Sequence, residues 1–182
     1  MIRLGWRALS SPGYRGRISE RFGGGAPDDR CCDLWIHAVS VGEVKAATPL
    51  VQRLLKEKKH LNIIITTMTP TGAQQVVDTF GKEVRHRFAP YDYPFAIRSF
   101  INQFSPRLLI LMETEIWPNM IRICHQQGIA VAMANVRLSA RSARGYRFVL
   151  PLVRDGLSKV SLFAVQSEAD RKHLLSLGID AS

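Results

Sequence analysis

From Leu34 onward, short β-branched apolar runs alternate with longer helical patterns, and this constrains the fold more than any other feature. The apolar runs are LWIHAV (34–39), NIIITTM (62–68), VRHRFAP (84–90), LLILME (108–113), VAMANV (131–136) and LFAVQS (162–167). Between them lie GEVKAATPLVQRLLKE, TGAQQVVDTFG, PFAIRSFINQF, IWPNMIRICHQQG and a basic segment from Ser139 to Lys159; SEADRKHLLSLG follows the last run. Strands separated by helix-length segments pair in parallel, because a parallel neighbour needs a crossover connection. Runs as continuously apolar as IIIT and LLILM fit strands covered on both faces. The expected architecture is α/β: a doubly wound parallel sheet with helices on either side. Ser167 and Asp170 form a capping start for the last helix, and Gly178 a stop.

Residues 1–30 read differently. They are polar, basic and glycine-rich, ending in FGGGAPDDR, and suggest a leader with a short helix around Tyr14 to Arg21. The domain proper is expected to span 31–182. A chain of 182 residues with 46% apolar content can build one real core. No run approaches the roughly 18 apolar residues of a membrane-crossing helix.

In doubly wound sheets, ligands sit outside the carboxyl ends of the strands. Each strand-to-helix turn is therefore a candidate position. After the first strand, Ser40, Gly42 and Glu43 open a helix. Gly42 permits a tight turn and close approach by a ligand. The positive helix end favours an ionised carboxylate at Glu43, and an exposed carboxylate there suits a general base. A plain helix-start glutamate gives the same pattern. After the fourth strand, METEIWPNM (112–120) carries Glu113 and Glu115. Two carboxylates behind so apolar a strand need partners or a solvated cleft; they suit sugar hydroxyls or the orientation of basic residues, although a pair of helix-start acids beside a core Trp gives the same pattern. In TTMTPTGAQQ (66–75), Thr69, Thr71 and Gly72 either hold an anion at a helix start or simply cap it. Arg137, Arg141 and Arg144, beyond the fifth strand, fall near helical spacing and could meet phosphates, or line a solvated face. His37, near the end of a buried strand, reads as a satisfied core histidine.

Several chemistries lack their signatures. There is no G-x-x-x-x-G-K-[ST] and no G-x-G-x-x-G after a strand, so no nucleotide cofactor is expected. No G-x-S-x-G elbow occurs. Cys31, Cys32 and Cys124 form no C-x-x-C pair and no zinc spacing, so no metal site is expected and the thiols read as structural. Charge is more telling. Lys and Arg outnumber Asp and Glu by 25 to 15, a formal net charge of +10, which favours an anionic partner. Nucleic acid is not expected, since no nucleic-acid motif or interleaved surface aromatic series accompanies the basic residues.

SPGYRGRISERFG, WIHAVSVGEVKAATPLVQRL, TTMTPTGAQ, YDYP, ETEIWPN, ANVRLSARSARGY and QSEADRKHLLSLG occur in this order from about Pro12 to Gly178. Together they resemble the amino-terminal half of the 3-deoxy-D-manno-octulosonic acid (Kdo) transferases of lipopolysaccharide synthesis. The resemblance implies the two-domain GT-B glycosyltransferase architecture, in which two Rossmann-like domains face each other across a cleft. It implies that this domain receives the acceptor, a bisphosphorylated lipid A precursor. The donor, CMP-Kdo, would be held mainly by a carboxyl-terminal domain that these 182 residues do not include. It implies inversion at the anomeric carbon without an active-site metal, with the glutamate of the S-V-G-E motif, here Glu43, as general base. Glu113 and Glu115 would lie near the same cleft.

The implied setting is the cytoplasmic face of the inner membrane, held peripherally. Relatives of this kind begin with a longer apolar anchor, whereas this sequence reaches RLGWRALSSPGYR almost at once. The domain alone is expected to fold but, without donor contacts, to transfer no sugar. Two other readings remain at this stage: a GT-B domain for a different nucleotide sugar, and a non-catalytic module that binds anionic lipid.

Overall fold

The computed structural model describes residues 17–25, 31–58, 60–138 and 150–179. Six strands form a single all-parallel sheet: β1 (Leu34–His37), β2 (Ile63–Thr67), β3 (Arg85–Phe88), β4 (Leu108–Met112), β5 (Ala130–Val136) and β6 (Leu162–Val165). Each lies within an expected run, except that β5 begins one residue earlier, at Ala130. The strand order is β3-β2-β1-β4-β5-β6. The helices are α1 (Val41–Glu57), α2 (Pro70–Phe80), α3 (Pro94–Phe104), α4 (Pro118–Gln126), α5 (Leu150–Leu157) and α6 (Glu168–Ser176). Ser167 caps α6 as expected, accepting from Asp170 N, and Gly178 adopts φ 75° beyond its end.

Alternation along the strands divides the core in two. Leu34, Ile36, Ile63, Ile65, Ile110 and Met112 face one way and pack with Val44, Ala47 and Val51 of α1 and Val76 and Phe80 of α2. Trp35, Ile64, Leu109, Leu111, Val131 and Met133 face the other way, onto α3, α4, α5 and α6. Both faces of the central strands are therefore dry, which is why their sequences are continuously apolar. Trp35 is fully buried. Its ring lies 4.4 Å from that of Phe100, and its Nε1 donates to Thr66 Oγ1 at 2.8 Å.

The strand order reverses at β1: the chain steps from β1 outward to β2 and β3, then returns to place β4 on the other side of β1. Helices α1 and α4 leave from adjacent strand ends toward opposite faces. A crevice must open between the carboxyl ends of β1 and β4.

Of the short helix expected around Tyr14 to Arg21, the part after Gly16 lies within the described residues. It is a 3-10 helix, Ile18–Phe22, and it packs along the outer edge of β3. Glu20 Oε2 accepts from Phe88 N at 2.8 Å, and Arg17 Nη2 donates to His86 O at 2.9 Å. These contacts satisfy an edge that would otherwise be open for pairing. Arg21 is not a surface cation. It is 2% exposed, its guanidinium lies 4.4 Å above the Phe88 ring, and Nη2 donates to Met68 O at 3.0 Å.

Removing the Trp35 side chain should leave a large cavity and take one donor from the Thr66 hydroxyl. We expect Trp35→Ala to cost about 3–5 kcal/mol in urea unfolding. Val77→Ala, at a position 52% exposed, should change stability by no more than about 0.5 kcal/mol.

Candidate active site

Ser40 is the N-cap of α1, and Glu43 stands three residues on. This S-x-x-E spacing is a capping-box signature. Ser40 Oγ accepts from Glu43 N at 3.4 Å and donates to Glu43 Oε1 at 2.9 Å. The other carboxyl oxygen, Oε2, accepts from Val39 N at 2.8 Å. Glu43 is thus folded back over the end of β1 and fixed by its own turn.

That geometry corrects the expectation of an exposed carboxylate. Glu43 is only 5% exposed. Burial pushes its carboxyl up from an ordinary 4.5 to about 7, outweighing the bonds from Val39 N and Ser40 Oγ that pull it down; the charges of Glu115 and Glu113 add to the rise. Desolvation wins over the helix end because it disfavours the charged form wherever water is excluded. The result is a carboxyl poised near neutrality.

Gly42 needs no glycine for its backbone, since its φ is not positive. A Cβ built there would meet only Ser40 Oγ, at 3.7 Å. The tight-turn reason for glycine therefore fails, and open space beside Glu43 remains.

Across the crevice, Glu113 adopts φ 58°, a left-handed conformation uncommon outside glycine. Its N–H bonds Ala134 O of the next strand at 2.8 Å, which holds the turn. Trp117 Nε1 donates to Glu115 Oε2 at 3.0 Å. The turn after β4 thus brings Glu113 and Glu115 within electrostatic reach of Glu43. Among the described residues, no group of three or more His, Cys, Asp or Glu side chains is arranged to hold a metal ion.

The other expected positions are more distributed. Thr69 caps α2, its Oγ1 accepting from Gly72 N at 3.0 Å, and Thr71 Oγ1 donates to that same oxygen at 3.3 Å. A Cβ at Gly72 would lie 3.0 Å from Thr69 Oγ1 and 3.2 Å from Thr67 Cβ, so a side chain there would crowd the cap. This turn neighbours the first one: Met68 N bonds Val39 O at 3.1 Å. Arg137 lies beyond β5, where its N–H reaches Thr114 Oγ1 at 3.2 Å, Thr114 Oγ1 donates to Arg137 O, and Arg137 Nε donates to Gln166 Oε1. Arg141 and Arg144 lie outside the described residues.

His37 is also not what the sequence suggested. Nδ1 lies 3.0 Å from Thr66 Oγ1, but Nε2 has no hydrogen-bond partner among the described residues.

Sequence reasoning gave no role to Asp92, Asn119, Asn135 or Gln166. Asp92 caps α4 from 26 positions before its first residue, accepting from Asn119 N at 3.1 Å and Met120 N at 2.8 Å. Asn119 Nδ2 returns a bond to Asp92 O at 2.8 Å. The YDYP and ETEIWPN segments are therefore one structural unit. Burial raises the Asp92 carboxyl, while the bonds from Asn119 and Met120 lower it. Gln166 Nε2 donates to Asn135 Oδ1, tying β6 to β5.

The sequence profile of the family described as "3-Deoxy-D-manno-octulosonic-acid transferase (kdotransferase)" matches residues 16–182. The chain belongs to this family. A 3-deoxy-D-manno-octulosonic acid transferase of Haemophilus influenzae is 45% identical over 177 residues, covering 96% of this chain and 42% of that protein. One from Bordetella pertussis is 34% identical over 178 residues, covering 95% of this chain and 40% of its own length. The chain thus spans about two fifths of these relatives. Among solved structures, a UDP-GlcNAc 2-epimerase from Neisseria meningitidis superposes with a TM-score of 0.59 at 15% identity, over 82% of this chain and 44% of its own. That likeness supports the Rossmann-like, GT-B-type fold alone.

A carboxyl raised by folding holds its proton more tightly in the folded state. Its contribution to stability is full below pH 4.5 and is lost as pH rises to about 7 and beyond. Glu43→Gln removes that loss. In urea unfolding at pH 5 and pH 8, the variant should gain stability relative to wild type at the higher pH.

Proposed function

We propose that the protein carrying this chain transfers Kdo from CMP-Kdo to a lipid A precursor, and that this domain receives the acceptor. The observation that carries the reading is the buried Glu43 carboxyl, raised to about 7 at the carboxyl edge of the sheet. A base with its pKa near the working pH combines a useful unprotonated fraction with real proton affinity. Glu43 takes the proton of the acceptor hydroxyl as that oxygen attacks the anomeric carbon of Kdo. The C–O bond to CMP breaks as the new glycosidic bond forms on the opposite face, so the configuration inverts. CMP leaves with the bonding electrons.

The open space beside Gly42 gives the acceptor hydroxyl a place to approach. Glu113 and Glu115 line the far side of the crevice and suit sugar hydroxyls. Thr69, Thr71 and Gly72 of the neighbouring turn, and Arg137 beyond β5, extend the acceptor-binding edge; Arg141 and Arg144, which follow Arg137 in the sequence, are further phosphate partners in this proposal. The net charge of +10 suits a phosphorylated acceptor at an anionic leaflet, where each Lys or Arg near the surface contributes about 1 kcal/mol. Among the described residues, no helix is long and apolar enough to cross a membrane. Peripheral attachment at the cytoplasmic face of the inner membrane is part of this proposal, as is reliance on donor contacts from outside this domain.

Two variants of the complete protein test the reading. Glu43→Ala should lower transfer from CMP-Kdo by about 10²–10⁴-fold while acceptor binding persists. Transfer at the wild-type rate would move the base elsewhere. Gly42→Ala should leave the fold as stable or more so, by up to about 1 kcal/mol, because alanine is the better helix former. It should nonetheless raise KM for the acceptor, by filling the approach to Glu43. An unchanged KM would remove the acceptor from that space.

A further inference from the structure

His37 has no task in the reading above. It closes β1, is fully buried, and burial alone pushes its imidazole down to about 3, so the ring is neutral near pH 7. Nδ1 meets Thr66 Oγ1 at 3.0 Å, while Nε2 has no partner among the described residues. A buried ring with one nitrogen unpaired costs stability that a phenylalanine in the same volume would not.

The ring has one neighbour that leads to the site. His37 and Trp117 meet edge to face, with centroids 4.7 Å apart and planes at 82°. Trp35 is also nearly perpendicular to it, at 6.5 Å. Trp117 is only partly buried, and it opens α4 without a side-chain cap of its own. Its Nε1 is the donor that holds Glu115 Oε2 at 3.0 Å. A continuous set of contacts therefore runs from the core of β2 to the crevice: Thr66, His37, Trp117, Glu115. Phenylalanine at position 37 would pack there without the bond to Thr66. The Thr66 bond fixes the plane of the imidazole, and with it the tilt of the indole.

We propose that His37 is a positioning residue, which through its perpendicular contact with Trp117 holds the indole that fixes Glu115 beside Glu43. The inference rests on Glu43 being the base of the proposed transfer. The charged groups whose fields reach Glu43 are Glu115 and Glu113, both from the turn between β4 and α4; Val39 N and Ser40 Oγ supply its hydrogen bonds. Loosening Trp117 lets Glu115 turn to solvent, and moving that charge away lowers the Glu43 pKa.

The test is the pH profile of kcat/KM for Kdo transfer in the complete protein. We expect His37→Phe, Trp117→Phe and Glu115→Gln each to move the acid limb to lower pH by about 0.5–1 unit. The His37→Phe/Glu115→Gln double variant should move it no further than Glu115→Gln alone. Should His37→Phe not fold, His37→Asn decides, since it keeps a partner for Thr66 but has no ring for Trp117. A merely structural role would lower the yield of folded protein and leave the limb in place. A wild-type limb that disappears in Glu43→Gln but stays put in the His37 and Trp117 variants overturns this inference alone. A His37 shift that persists in full beside Glu115→Gln also overturns it. A Glu43→Gln enzyme that keeps both its rate and its acid limb overturns the base reading itself.

Discussion

The parallel pairing of β1 with β4 is the constraint on which the rest depends. Leu34 pairs with Leu108 and His37 with Leu111, although more than seventy residues separate the strands. Because the chain winds away from this pair in both directions, α1 and α4 leave it toward opposite faces. The crevice between them is a topological consequence, not the product of a particular loop. The turn that carries Glu43 borders it on one side. The turn that carries Glu113 and Glu115 borders it on the other.

Within that frame, the chemistry comes from one competition. A carboxylate at a helix start is ordinarily favoured in its charged form by the helix end and by capping bonds. Glu43 has both, yet its carboxyl is raised, because burial and two neighbouring carboxylates oppose them. The capping bonds then serve a second purpose. They keep the group in place at an energy that would otherwise drive it into solvent. Asp92 does similar work at one remove, since it stitches the turn before α3 to the first turn of α4 and so braces the wall from which Glu115 projects.

Much of this was legible in the sequence because strands covered on both faces must be continuously apolar. IIIT and LLILM announced such strands, and the crossover lengths between them announced parallel pairing. The turns that could hold a site followed from the same pattern. What stayed hidden depends on contacts between residues far apart in the chain. Nothing around Ser40 and Glu43 indicates that the carboxyl would be 5% exposed, because the turn opposite lies seventy positions away. Arg21 looked like one of several basic leader residues, but Phe88 and Met68 bury it. His37 looked satisfied because sequence gives no count of partners for each ring nitrogen. The S-x-x-E capping box, by contrast, was present in the sequence as a local signal and needed only to be read.

The most direct test of the account is the titration of the Glu43 side-chain carboxyl itself, by carbon-13 NMR of the complete protein, with the resonance assigned by its loss in Glu43→Gln. The account predicts a midpoint at about 7. A midpoint near 4.5, the ordinary value for such a carboxyl, would contradict it, for it would mean that the crevice neither buries this group nor prepares it to take a proton.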